Sequence, residues 1–183
     1  MLEVLARHLA GKMKQAIPDE PVSEAVLRYG WAIVLNTVFT LALSAVFGLA
    51  LGKLAETMTV LFAFALLRAF TGGYHFKSGT ICVVVSSATA AALTLIQPGG
   101  YLVLTMTVVS GVLVALYAPA GIERQTRIPV AYHPLLKVVG LLLVLTNLRI
   151  QSDLLALSWF VQSISLITLR PRKEVITNEQ KST

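Results

Sequence analysis

Between Lys77 and Glu123 the chain runs for 45 consecutive positions without a charged residue. A helix crossing a bilayer needs about 20 apolar residues to cover a hydrocarbon core of roughly 30 Å. The uncharged run is therefore long enough for two crossings. Gln97-Pro98-Gly99-Gly100 interrupts it near the middle, as a tight turn between two spans would. Trp31 to Leu51 adds 21 more residues with no charge. A soluble domain carries roughly 25% charged residues, whereas here charged residues are 13% of 183, hydrophobic residues 56%, and the mean hydropathy is +0.76. The predicted class is all-α: a polytopic membrane protein.

Six spans are predicted: Trp31 to Leu51, Leu54 to Phe70, Thr80 to Ile96, Tyr101 to Ala118, Pro134 to Ile150 and Leu154 to Leu169. The second and fifth are the weaker pair, because Glu56 and Arg68 bracket one while Lys137 and Arg149 fall inside the other. Near the ends such charges can snorkel to the headgroups. A four-span protein with two interfacial segments is the alternative, and pairing of the weaker segments would line a polar path.

Placing the N-terminus in the cytoplasm puts Arg7, Lys12, Lys14, Arg28, Arg68, Lys77, Arg124, Arg127, Lys137, Arg170, Arg172, Lys173 and Lys181 inside, 13 of the 15 basic residues. Only Lys53 and Arg149 remain outside. By the positive-inside rule both termini and the loop holding His75 face the cytoplasm. Before the first span, Leu2, Leu5, Leu9, Met13 and Ile17 recur at helical spacing, which suits a helix lying in the membrane plane. Pro18 and Pro21 end it, and Ser23 is placed to cap the next helix. The pattern does not match a cleaved signal peptide, since no continuous apolar block follows the first basic residue. The expected organisation is an amphipathic interfacial segment over 1–22, one transmembrane domain over 23–170, and a polar cytoplasmic tail over 171–183.

Chemistry concentrates where a charged loop meets the long uncharged run. His75 and Cys82, the only cysteine, lie seven residues apart there. A thiol and an imidazole are the two groups needed to attack and cleave an acyl bond. In one continuous helix they would be separated by about 10.5 Å along the axis. A helix starting at Ser78-Gly79 instead leaves His75 in a loop that can fold back. With Ser78 or Thr80 as N-cap, Cys82 falls in or just after the first turn, where unsatisfied N–H groups and the helix dipole favour a thiolate. Those N–H groups are also a candidate oxyanion hole. Gly72 and Gly73 permit backbone conformations or close approaches that a side chain forbids. The bland alternative is that Cys82 is a small apolar filler and His75 an inert interfacial residue.

The run Arg68-Ala69-Phe70-Thr71-Gly72-Gly73-Tyr74-His75, with Cys82 beyond it, resembles the accessory gene regulator B family of bacterial membrane peptidases. Tyr117-Ala118-Pro119-Ala120, with Pro129 downstream, is similar to the family's second characteristic stretch. The resemblance implies a cysteine endopeptidase that processes a short quorum-sensing propeptide, with Cys82 as nucleophile and His75 as its base. The acyl-enzyme thioester would be captured by a nucleophile within the peptide, giving a cyclic thiolactone or lactone. The propeptide's acidic C-terminal part would meet Arg68, Lys77, Arg124 and Arg127. Together with Gly72 and Gly73 these are the candidate substrate-binding residues, although plain positive-inside bias also accounts for the four cations. No cofactor is implied, and Glu123 is a candidate third member of the catalytic group. His133 is a second candidate base, whereas His8 belongs to the amphipathic helix.

Other classes fit less well. A transporter usually places ionisable groups mid-membrane, but the predicted spans hold no aspartate and only Glu56 near an end. A metal-dependent phosphotransferase needs clustered carboxylates, and Asp19 and Asp153 are isolated. A zinc site needs three or four ligands, which one cysteine and three scattered histidines do not supply. The pI near 9.7 suits anionic lipid rather than nucleic acid, since the basic residues cluster at membrane-flanking loops. A non-catalytic membrane scaffold, or a small-molecule or peptide transporter, is the alternative from another class. Gly48 and Gly52 form one small-xxx-small match for helix packing, and a homodimer stays open.

Overall fold

Local capping chemistry sets where the first long apolar helix begins and ends. The structure is a computed structural model and describes residues 2–18, 20–73, 76, 78–120 and 129–167. Among these it contains helices α1 (Leu2–Ala16), α2 (Glu24–Ala50), α3 (Leu54–Thr71), α4 (Gly79–Leu93), α5 (Gly100–Tyr117), α6 (His133–Ile150) and α7 (Asp153–Ser165), with a 3-10 turn over Val130–Tyr132. Ser23 caps α2 as expected, its hydroxyl accepting from the Val26 N–H at 3.4 Å. At the other end Gly52 takes φ +64°, while the Lys53 and Gly52 N–H groups donate to the Gly48 and Leu49 carbonyls. This closes α2 in a Schellman turn. Gly48 packs against Leu54 and Thr57 of α3, so only one of the two glycines serves helix packing.

The all-helical class stands, and each predicted span overlaps a helix, with α2 beginning seven residues before the expected Trp31, but the weak segments are not those expected. α2, α3, α5 and α6 are long and apolar enough to cross a membrane. The segments with internal charges therefore form full 18-residue helices, whereas α4 has 15 residues and α7 has 13. The reason for α4 is local: after Leu93 the Thr94 hydroxyl turns back to the Ala91 carbonyl at 2.7 Å, and Lys53 Nζ donates to the Thr94 carbonyl at 2.8 Å. That exchanges helix continuation for a capped end, so Leu95 and Ile96 fall outside it. The polar tail expected over 171–183 lies outside the described residues.

α3 and α7 form the centre. α3 touches α2, α4, α6 and α7, while α7 also packs on α5. α1, α2 and α4 make one wall, and α5 with α6 makes the other. α1 turns Ala6 and Ala10 inward, leaving Leu5 and Met13 exposed, and its Leu2 comes to rest against Gly79 at the start of α4. One apolar cluster gathers Leu67, Val114, Val144, Trp159 and Leu166; a second gathers Val60, Leu61, Ala90, Leu93 and Leu157. The contact of α3 with α6 is a tight seam of Leu67 and Thr71 on Gly140, not a polar path.

The short α7 is also the polar hinge of the bundle. Its Ser158, Gln162 and Ser163 are completely buried. Ser158 donates to the Val60 carbonyl at 2.9 Å, and Trp159 Nε1 to the Ala63 carbonyl at 3.1 Å. Hydrocarbon offers polar groups no other partners, so such bonds fix the register of packed helices. Outside, large apolar side chains such as Leu49, Tyr101 and Leu116 stand more than 60% exposed, as a lipid-facing surface requires.

Candidate active site

α3 ends in a turn that only glycine accommodates easily. Gly72 takes φ +72° and Gly73 φ +139°, both in the region that side chains with a Cβ rarely enter. The Gly72 N–H donates to the Arg68 carbonyl at 2.9 Å, closing the helix. The Gly73 N–H then donates to the Ala120 carbonyl at 3.1 Å, and the Ala120 N–H returns a bond to the Thr71 carbonyl at 2.9 Å. This short parallel bridge ties the Gly-Gly turn to the Tyr117-Ala118-Pro119-Ala120 stretch, in which the Ala118–Pro119 peptide is cis.

A third element holds the same turn. Gln162 Nε2 donates to the Gly72 carbonyl at 2.6 Å and reaches Thr71 Oγ1 at 3.4 Å. Ser165 Oγ donates to the Gln162 carbonyl at 2.7 Å and lies 3.3 Å from Gln162 Oε1. A Cβ built on Gly73 would stand 2.8 Å from Gln162 Nε2 and 3.0 Å from Ser165 Oγ. The second glycine is thus demanded by space as well as by φ. Gln162 and Ser165 were not foreseen, although a glutamine inside an apolar span is a signal: it is costly there unless bonded. We expect Gln162→Leu to leave the Gly72 carbonyl with only the long 3.4 Å bond from Thr71 Oγ1 and to lower stability by about 1–2 kcal/mol, read as thermal unfolding in detergent. An unchanged melting temperature would mean that the bond does not hold the turn.

Cys82 lies across from this turn on α4. Ser78 is the N-cap, without a side-chain cap bond, and Cys82 is the fourth helical residue. Its N–H donates to the Ser78 carbonyl at 3.1 Å, so the amides left without helical partners are those of Ser78, Gly79, Thr80 and Ile81. Any oxyanion hole drawn from this helix start must use those rather than the Cys82 amide. The thiol is half-buried, with Ser86 Oγ at 4.0 Å one turn along.

Cys82 and Arg68 line one cavity of about 180 Å³ between α3, α4 and α7, together with Ser86, Ser165 and Phe76. The Arg68 guanidinium stacks over the Phe64 ring at 5.8 Å and shares the cavity wall with Cys82. Arg68 therefore faces a cavity inside the protein rather than snorkelling outward. An arginine beside a thiolate, or beside the anion formed when a carbonyl is attacked, lowers the cost of that charge in surroundings of low dielectric. Of the other sequence candidates, His75, Lys77, Glu123, Arg124 and Arg127 lie outside the described residues. His133 opens α6, which contributes nothing to the cavity wall, and His8 is exposed on α1.

The sequence pattern described as "Accessory gene regulator B" matches residues 4–177. Over 181 residues the chain is 24% identical to an AgrB-like protein of Clostridium acetobutylicum, covering 92% of this chain and 87% of that one. Over 120 residues it is 31% identical to an AgrB-like protein of Halalkalibacterium halodurans, 65% of this chain and 61% of that relative's length. A third, AgrB-like protein 2 of Clostridium perfringens, is 22% identical over 85 residues, 46% of this chain and 40% of that one. No solved structure matches. With the Gly-Gly turn, its partner stretch and Cys82 all inside the matched region, the chain belongs to the accessory gene regulator B family.

Proposed function

We propose that this member of the agr quorum-sensing family is a membrane-embedded cysteine endopeptidase acting on a small signal propeptide. The observation that carries the reading is one juxtaposition. Cys82 and Arg68 share a cavity wall beside a Gly-Gly turn braced from two directions, and His75 follows that turn by two residues.

In the proposed reaction His75 takes the thiol proton and the Cys82 sulfur attacks the scissile carbonyl carbon. The C–N bond breaks as the imidazolium returns its proton to the leaving amine. A thioester remains on Cys82. A cysteine thiol or serine hydroxyl within the bound peptide then attacks it, releasing a thiolactone or lactone and restoring the sulfur. Water must lose that competition, and an apolar cavity wall helps to exclude it. Arg68, with Lys77, Arg124 and Arg127, is the proposed contact for the propeptide's acidic C-terminal part. The proposed location is the bacterial cell membrane, with both termini and the site at the cytoplasmic face and anionic lipid around the basic loops.

The test is capture of the intermediate. Membranes carrying the protein and a co-expressed propeptide with an internal cysteine and an acidic tail are quenched in acid and the intact chain is weighed. The expected result is an adduct with the propeptide's N-terminal fragment, released by hydroxylamine and missing from Cys82→Ala. Cleavage that proceeds with no such adduct would overturn covalent catalysis by Cys82.

A further inference from the structure

The cavity continues well past the sulfur. On α4, Cys82, Ser86, Ala90 and Leu93 all line it. Their spacing of three and four residues puts them on one helical face, a stripe about 16 Å long. Facing them, α3 runs the opposite way from Arg68 to Leu61 and Val60, and α7 contributes Val161. The end near the α3–α4 connection therefore carries Arg68, Cys82 and Ser165, while the far end is aliphatic apart from the Thr89 hydroxyl. Among the described lining residues Arg68 is the only charged one.

We propose that this cavity is a side-chain pocket for one large apolar residue of the peptide, on the acyl side of the bond that Cys82 attacks. The proposal rests on the cysteine-peptidase reading and deepens it. Size supports a single side chain: the volume is about 180 Å³, and an apolar protein cavity of about 150 Å³ holds one benzene molecule. Polarity supports an apolar occupant, because past the Ser86 and Thr89 hydroxyls the cavity is walled by Val60, Leu61, Ala90, Leu93 and Val161, which offer no partner to a charge. The acyl half is the half chosen because it stays bonded to the sulfur after the amine has left. Its nearest side chain is then held within a few ångströms of the pocket's polar end, while the departing half is untethered. Filling the pocket also places apolar matter between the thioester and water.

Cys82 is the only cysteine, so thiol-specific reagents report on this pocket without requiring any cleavage. The purified full chain, in nanodiscs of phosphatidylethanolamine and phosphatidylglycerol, is treated with methyl, benzyl and sulfonatoethyl methanethiosulfonate. In each case the thiolate displaces a sulfinate and keeps the methyl, benzyl or charged group as a mixed disulfide, counted by intact mass. The benzyl-to-methyl rate ratio is expected to exceed that of a free cysteine amide by about ten-fold or more, the range an apolar pocket gives for added methylenes. The sulfonate reagent is expected to show no gain. Ala90→Leu, or Val161→Phe if the first fails to fold, should return the benzyl-to-methyl ratio to the free-thiol value. A ratio that equals the free thiol in the unaltered protein, or that ignores both fillings, overturns the pocket. So does a ratio raised in short-chain detergent but lost in the nanodiscs, which would mean that a lipid tail occupies the cavity. Each of these failures leaves the Cys82 adduct test intact, and loss of that adduct would in turn sink the peptidase reading whatever the labelling ratio.

Discussion

Cys82→Ala is expected to lower propeptide cleavage by at least about 10,000-fold, the scale on which removal of a nucleophile acts, while the amount of membrane-inserted chain is unchanged. The stability side of this expectation comes from the site. Cys82 is half-buried at the edge of a cavity, with Ser86 Oγ 4.0 Å from its sulfur, and its backbone bond to Ser78 survives the change. Trimming such a side chain costs about 1 kcal/mol or less. The activity side comes from arithmetic: with one cysteine in 183 residues there is no other thiol to substitute. His75→Ala should fall comparably, since a thiol without a base is a weak nucleophile, and Cys82→Ser should keep only a trace. Mass spectrometry of the propeptide in membranes measures all three. Cleavage by Cys82→Ala at the normal rate would remove the nucleophile assignment altogether.

The second large effect is expected at Gly73. Alanine there would have to hold φ +139°, which costs about 1–3 kcal/mol, and its Cβ would press on Gln162 Nε2 at 2.8 Å. Gln162 cannot yield cheaply, because the same nitrogen holds the Gly72 carbonyl. The turn must therefore open. Displacing a catalytic element by about 1 Å can cost a hundred-fold in rate, so Gly73→Ala is expected to lose at least that much cleavage and to unfold earlier in detergent. Gly52→Ala is the matched control: it also imposes a positive φ, +64°, but nothing lies within 4 Å and the position is at the far end of α3. It should cost about 1–2 kcal/mol of stability with cleavage retained. Equal cleavage by the two variants would show that the turn's geometry does not matter to the chemistry.

Much of the bundle could be read from the sequence because its signals are local. Ser23 ahead of an uncharged run marks the start of α2, and Gln97-Pro98-Gly99-Gly100 marks the break between α4 and α5. The placement of Cys82 just inside a helix beginning at Gly79 follows from the Ser78-Gly79 pair. Two errors share one cause, which is that hydropathy does not record what a side chain touches. Glu56, Arg68, Lys137 and Arg149 made α3 and α6 look weak, yet both are full-length helices and Arg68 has a cavity to face. Leu95 and Ile96 looked helical, yet the bond from Lys53 to Thr94 ends α4 before them. The bracing of the Gly-Gly turn was not legible, because Ala120 and Gln162 reach it from segments 48 and 90 positions downstream. No period or local motif encodes a contact of that reach.

That 90-position separation has a consequence for the order of events during synthesis. When α3 and α4 have already left the ribosome, the donor that fastens their connecting turn has yet to be translated. A chain halted between residues 93 and 153 would own the thiol and the arginine but lack Gln162, the donor that holds the Gly-Gly turn. Competence for chemistry would then arrive late, with the insertion of the smallest helix, so that unfinished copies stay silent toward any peptide they meet.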